Sequence, residues 1–503
     1  MEKKNYVVAV DLGSTAVVVG VAAKAEDGTM EIRALVSKPV KGVSAGRIEN
    51  IEDVSKALGT AFEEAGQQAG IRITSAYAGI SGDFVRCARH TDYVYVTDPK
   101  NGVSKQDLAA LFDRMRNLQA PDGEVIMERI PQNYMLDKGK EVENPIGSFG
   151  SKLSSTFNFV LCERTPIQRL EMALKRVGVE LIETVPNVLA TAESVLTEDE
   201  KEEGVAVVDV GGGVTDVVVY YRGVVRYVAS IPIGANAINN DIRTMGVPER
   251  FVERLKLEYG SALAERVPDG KMIRVKGRST KDTRDIMMHN LVTAIEARTM
   301  DIIDLINEEL KISGYGQKLS FGLVLTGGLA NLKDVDELFR RCTKLEVRVG
   351  HPDVNLTEES CAVADDPSFA TVVGLLTRGT TQSQVVLPPS ARPTPAPAPT
   401  PAPASQPRPA EPVTPREETP KVEPTPVQPA KSKVEETERP IEPIQKPYVP
   451  PVVPASELKN EEPEEEEIDD DDIYEEKPKQ KGGFWNTLAS WAKKFEDPGD
   501  DEI

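Results

Sequence analysis

From residue 6 to about 380, short apolar runs alternate with segments whose apolar positions recur every three or four residues. That grammar predicts strands interleaved with helices and an α/β fold. Near the start, Val7 to Val10 read as a strand, Asp11-Leu12-Gly13-Ser14-Thr15 as a tight turn, and Val17 to Ala23 as the returning strand. The same sequence of elements recurs two hundred residues later: Val205 to Val208, the turn Asp209-Val210-Gly211-Gly212-Gly213, then Val217 to Tyr221. A third segment, LVLTGGLANL, sets Gly327 and Gly328 between an apolar strand and a helical pattern.

Past residue 380 the pattern changes twice. Between Pro388 and Pro454 lie 22 of the 37 prolines, whose fixed φ and missing N–H rule out helices and sheet ladders, so this stretch reads as an extended, disordered tether. After Glu461 to Glu476 comes KPKQKGGFWNTLASWAKKF, which holds both tryptophans of the chain. At 100° per residue, Phe484, Trp485, Leu488, Trp491, Ala492 and Phe495 share one helical face, with Asn486, Thr487, Ser490, Lys493 and Lys494 opposite. Flanking lysines and paired tryptophans favour an interfacial membrane anchor following the Gly482-Gly483 hinge; docking on a protein surface is the alternative.

Composition refines this picture. The 503 residues are 40% hydrophobic, enough for cores in part of the chain. The net charge of -21 argues against a nucleic-acid binder, but Glu461 to Glu476 carries 12 acids, so the globular part is closer to neutral. That acidic run extends the expected disorder by self-repulsion. Cys87, Cys162, Cys342 and Cys361 form no CxxC pair and read as reduced thiols of a cytosolic protein. No signal core and no run of ~18 uncharged apolar residues occurs, which predicts a protein neither exported nor membrane-spanning. His90, His289 and His351 are scattered and read as structural or exposed.

The chemistry sits in the turns. Glycine lets the backbone approach an anion, and Ser and Thr hydroxyls at a hairpin tip can donate to phosphate oxygens, so two such hairpins facing one another would clamp a polyphosphate. A P-loop and a GxGxxG opening a helix are both missing from the sequence. Asp11 to Thr15, Asp209 to Thr215 and Thr326 to Gly328 resemble the phosphate 1, phosphate 2 and adenosine motifs of the actin, heat-shock chaperone and hexokinase superfamily. The resemblance implies ATP with Mg²⁺ as ligand and an actin-like fold of two RNase H-like domains. Asp11 and Asp209 would hold the metal largely through water. Gly13, Ser14, Thr15, Gly211, Gly212, Gly213 and Thr215 would face the phosphates, and Thr326, Gly327 and Gly328 the adenosine. Glu253 and Lys256, in ERLK, resemble the acidic and basic pair that reaches the nucleoside; an exposed ion pair is the alternative. VPNVLATAESVL resembles the first hinge segment, where Asn187 would position water but could not take its proton, implying slow turnover. IPIGANAINNDI resembles the second, with Gly234 and Ala235 allowing close helix crossing.

Fold alone does not choose among the families that share these motifs. The block RIPQNYMLDKGKEVENPIGSFGSKL, continued in LATAESVLTEDEKEEG, resembles subdomain 1C of the FtsA family, and the tethered amphipathic helix fits the same family. The division expected is a first domain over 1–83, subdomain 1C inserted at 84–165, a return and hinge at 166–203, a second domain at 204–380, a linker at 381–481 and the terminal helix at 482–503. The resemblance implies a peripheral protein of the cytoplasmic face of the bacterial inner membrane at the division septum. It would self-polymerise head to tail, bind membrane lipid, tether the tubulin-like FtsZ ring and recruit other division proteins. A soluble phosphotransferase or ATPase acting on a small molecule is the other class considered. The linker is longer and richer in proline than is usual in that family, and the acidic residues after the helix also depart from its pattern.

Overall fold

The computed structural model describes residues 6–25, 28–137, 139, 141–268, 270–276, 283–382 and 465–467. Two five-stranded sheets share one topology. In the first, the antiparallel meander Tyr6–Leu12, Ala16–Lys24, Met30–Pro39 is extended from its first strand by the parallel strands Ser75–Ile80 and Glu180–Pro186. In the second, Val205–Val210, Thr215–Tyr221 and Val224–Ile231 form the meander, and Leu323–Thr326 and Val347–Val349 extend it.

The unbroken apolar runs follow from burial on both faces, since alternate residues of a strand point to opposite sides. Val8 and Val10 pack on the helices Ile51–Ala69 and Arg164–Arg176, whereas Val7 and Ala9 pack on Val372, Val373 and Leu376 of the helix Ala370–Gln382. In the second sheet, Val208 and Val210 meet Ile238, Ile242 and Ile303 on one side, while Val205 and Val207 meet Val188, Leu189 and Ala192 of the helix Asn187–Val195 on the other. The helix Ile51–Ala69 is bounded by Asn50, whose side chain accepts from the Glu52 and Asp53 N–H groups, and by left-handed Gly70.

The inserted unit is a four-stranded antiparallel sheet of Val85–Tyr95, Lys152–Glu163, Glu124–Leu136 and Glu141–Val142, with the helix Lys105–Arg116 packed on it through Leu111 and Met115. That helix opens with a reciprocal capping box between Ser104 and Asp107.

Three features differ from the sequence expectation. The segment Ala370–Gln382, assigned to the second domain, packs on the first sheet, because its apolar face is buried with Val7, Ala9 and Val18. It also forms the close helix crossing expected at Gly234 and Ala235: a Cβ at Gly374 would lie 1.8 Å from the Ala190 carbonyl oxygen, so this crossing with Asn187–Val195 requires glycine. Gly234 instead lies against the Gly211–Gly212 turn, where a Cβ would come within 2.4 Å of the Gly211 oxygen. Within the acidic run, the backbone of Glu465–Glu467 runs parallel to Met272–Arg274, satisfying an otherwise open edge of the hairpin Met272–Lys276 and Thr283–Met287. The remainder of the proline-rich and acidic linker and the whole terminal helix lie outside the described residues.

Candidate functional site

The two glycine turns close the ends of equivalent strands and have the same hydrogen bond, Gly13 N–H to the Ala16 oxygen at 3.0 Å and Gly211 N–H to the Val214 oxygen at 2.9 Å. They meet across a cleft of about 150 Å³ between the two sheets. A Cβ at Gly212 would lie 2.6 Å from Thr15 Cγ2, and one at Gly213 2.4 Å from Ser14 Oγ. A side chain at either position would have to displace the Ser14 or Thr15 side chain of the facing turn. The third glycine segment reaches the same cleft: Gly327, at φ 83°, sits where a Cβ would meet Asp209 Oδ1 at 2.3 Å.

Asp11, Gly13, Ser14, Thr15, Asn187, Asp209, Gly211, Gly212, Gly213, Gly327 and Gly328 all line this cleft. Four expected residues do not. Thr215 is buried and gives its hydroxyl proton to the Ile233 oxygen at 2.8 Å. Thr326 is equally buried, with its hydroxyl 3.0 Å from the Gly350 and Pro367 oxygens, so it fixes the Gly327 turn rather than facing the cleft. Lys256 is buried against Glu253, Nζ to Oε2 at 2.8 Å, and the same oxygen accepts from Asn239 Nδ2 at 2.7 Å.

The cleft's electrostatics are one-signed. Asp11, Asp209 and Asp216 line it, and no Lys, Arg or His does among the described residues. Burial, reinforced by the charge of Asp209, pushes Asp11 up to about 7 against the Asn187 amide, which donates to its Oδ1 at 3.0 Å. Burial also raises Asp209, whose Oδ2 accepts from Thr191 at 3.0 Å and Thr371 at 3.1 Å, one hydroxyl from each crossing helix. Asp216, absent from the sequence expectation, is raised to about 7 by burial although Ser230 and Ser81 both donate to it, Ser81 at 2.5 Å. Its signal in the sequence was a carboxylate inside the otherwise apolar strand TDVVVYY. Ser81, Thr191 and Thr371 carry no such signal, because they act from separate elements. Asn187 Oδ1 is buried against Gly79 without a protein partner among the described residues.

Comparisons with known proteins agree with this architecture. Residues 206–374 match the family model described as "Cell division protein FtsA", and residues 82–161 match "SHS2 domain inserted in FTSA". The FtsA of Pseudomonas aeruginosa is 32% identical over 382 residues, covering 75% of this chain and 90% of the relative. That of Neisseria meningitidis serogroup B is 30% identical over 380 residues, with the same coverage. A chain of the solved "PilM-PilN type IV pilus biogenesis complex" shares the fold, with a TM-score of 0.52, 14% identity, and coverage of 74% of this chain and 98% of that one. Duplicated sheets, an inserted SHS2 unit and relatives matched along 90% of their length lead to one assignment: the chain belongs to the FtsA family of cell division proteins, with an actin-like α/β fold.

Proposed function

We propose that this protein is a nucleotide-dependent, polymer-forming adaptor that tethers the tubulin-like FtsZ ring to the cytoplasmic face of the bacterial inner membrane at the septum and helps recruit other division proteins. The observation that carries the reading is the acid-lined cleft between the facing turns. Three carboxylates, Asp216 buried and Asp11 and Asp209 half-buried, with no basic side chain beside them among the described residues favour a cation, and an anionic triphosphate could enter such a cleft only with one. The donor set fits Mg²⁺: no three His, Cys, Asp or Glu side chains form a cage among the described residues, so Asp11 and Asp209 would hold the ion largely through its waters. When bound, the ion neutralises phosphate charge. The Gly13 and Gly211 N–H groups are spent inside the turns, so the N–H groups of Ser14, Thr15, Gly212 and Gly213 and the Ser14 and Thr15 hydroxyls would donate to phosphate oxygens, with Gly327 and Gly328 leaving room for the nucleoside.

Asn187 lines the cleft and donates to Asp11, where its amide would orient a water. An amide cannot take that water's proton, so ATP acts chiefly as a conformational ligand. The Thr191 and Thr371 hydroxyls tie Asp209 to both crossing helices, so a change at the cleft is felt at the lobe hinge and could favour one subunit contact over another.

Membrane attachment rests on the amphipathic pattern of Phe484, Trp485, Leu488, Trp491 and Phe495; among the described residues no helix is long and apolar enough to cross a membrane. Negative-stain microscopy on lipid monolayers tests the whole reading. Filaments are expected with ATP and lipid together, and monomers at every protein concentration would contradict it.

A further inference from the structure

A second pocket, of about 250 Å³, lies where the inserted SHS2 unit meets the strand Val224–Ile231 of the second sheet. Its walls carry two guanidinium groups, Arg89 from the insertion and Arg226 from the second lobe. Arg226 is only 4% exposed. It donates from Nε to the Tyr221 oxygen at 3.0 Å, and from Nη1 to Asn133 Oδ1 at 3.0 Å and Gln132 Oε1 at 3.2 Å. All three acceptors are neutral, and among the described residues Nη2 has no acceptor and no carboxylate forms an ion pair with Arg226. Arg89 likewise has no carboxylate partner among the described residues; its Nη2 makes only a 3.5 Å contact with the Arg226 oxygen.

Such an arrangement is costly for seam-building alone. Burial holds the Arg226 guanidinium below its ordinary range, the charge of Glu141 offsetting this only in part, and a neutral side chain could hold the seam as well. The acid on the pocket wall, Glu141, has its Oε2 engaged by Asn133 Nδ2 at 2.6 Å. Thr91 and Thr156 also line the pocket, their hydroxyls 2.8 Å apart, so one of the two protons is left to donate elsewhere. Arg226, Arg89 and this hydroxyl pair therefore line one small space.

We infer that this seam is an oxyanion site for a small soluble phosphate compound, held between Arg89 and Arg226 with help from the Thr91–Thr156 pair. Paired guanidinium groups and a hydroxyl match the donor pattern that a phosphate group takes. The depth of Arg226 restricts the ligand to a small group. Because one arginine belongs to the insertion and the other to the second lobe, occupancy ties the two together, independently of the cleft.

The test is titration of the full chain with inorganic phosphate, followed by calorimetry and by ³¹P line width. Gly212→Asp, which blocks the turn-to-turn cleft, serves as the control for phosphate taken up there. Saturable binding is expected in the parent and in Gly212→Asp alike, weakened about tenfold or more by Arg89→Ala and less by Thr91→Val. Arg89 and Thr91 are exposed, so these two variants keep the test open if Arg226→Gln fails to fold. No saturable binding up to about 10 mM phosphate overturns the inference. So does binding that Gly212→Asp abolishes and Arg89→Ala leaves unchanged.

Discussion

Replacing Asp216 by Asn should flatten the pH dependence of stability of the nucleotide-free protein. Asp216 is buried on the strand Thr215–Tyr221 and its carboxyl is raised from 3.8 to about 7. The folded state therefore keeps a proton that the unfolded chain releases. Stability from this group is full below about 4 and is lost as pH rises through 7. Between pH 5 and 8 the folded protein binds, integrated over that range, about two pH units' worth more proton, and at ~1.4 kcal/mol per unit the loss is about 2–3 kcal/mol. Asparagine keeps the shape and can still bond Ser81 and Ser230, but has no charge to bury. Urea unfolding at pH 5, 6, 7 and 8 without Mg²⁺ or nucleotide is the assay. The parent should lose about 2–3 kcal/mol more than Asp216→Asn across that range. Asp11, raised for similar reasons, acts in the same direction in both proteins and leaves a residual slope. Parallel losses in parent and variant would show that Asp216 does not hold its proton in the folded protein.

Gly374→Val places a side chain against the Ala190 oxygen and should reduce the unfolding free energy by an overpacking cost of about 1–3 kcal/mol or more, read as a lower urea midpoint; an unchanged midpoint would deny the close crossing. Trp485→Glu with Trp491→Glu should release the full chain from liposomes while leaving ATP binding intact, because each ring buries on the order of 150–250 Å² worth a few kcal/mol in the interface. Co-sedimentation equal to the parent would instead point to protein docking by that helix. Lys493→Gln with Lys494→Gln should weaken binding only on anionic lipid, by about 1 kcal/mol per charge, as vesicles of graded anionic content would reveal.

Much of the site was legible in the chain because the phosphate-facing turns are local. Asp11 to Thr15 and Asp209 to Gly213 each lie between two apolar strands, and their recurrence implies the duplicated sheet that makes them face. What was hidden depends on long-range packing. The run ATVVGLLT is apolar whichever core receives it, so periodicity could not show that Ala370–Gln382 returns to the first sheet. Thr215 and Thr326 sit beside cleft residues in sequence, but the alternation of strands turns their hydroxyls to backbone oxygens at 2.8 and 3.0 Å. Arg226, one basic residue in VVRYVASI, becomes unusual only once the insertion covers it.

Calorimetric titration of ATP with and without Mg²⁺ decides whether the cleft is a site for Mg-ATP. The parent should bind ATP in an Mg²⁺-dependent manner, and Gly212→Asp, whose new carboxylate would meet Thr15 and add a fourth acid to the cleft, should bind none while remaining folded. Equal binding by both proteins, or binding indifferent to Mg²⁺, would contradict it.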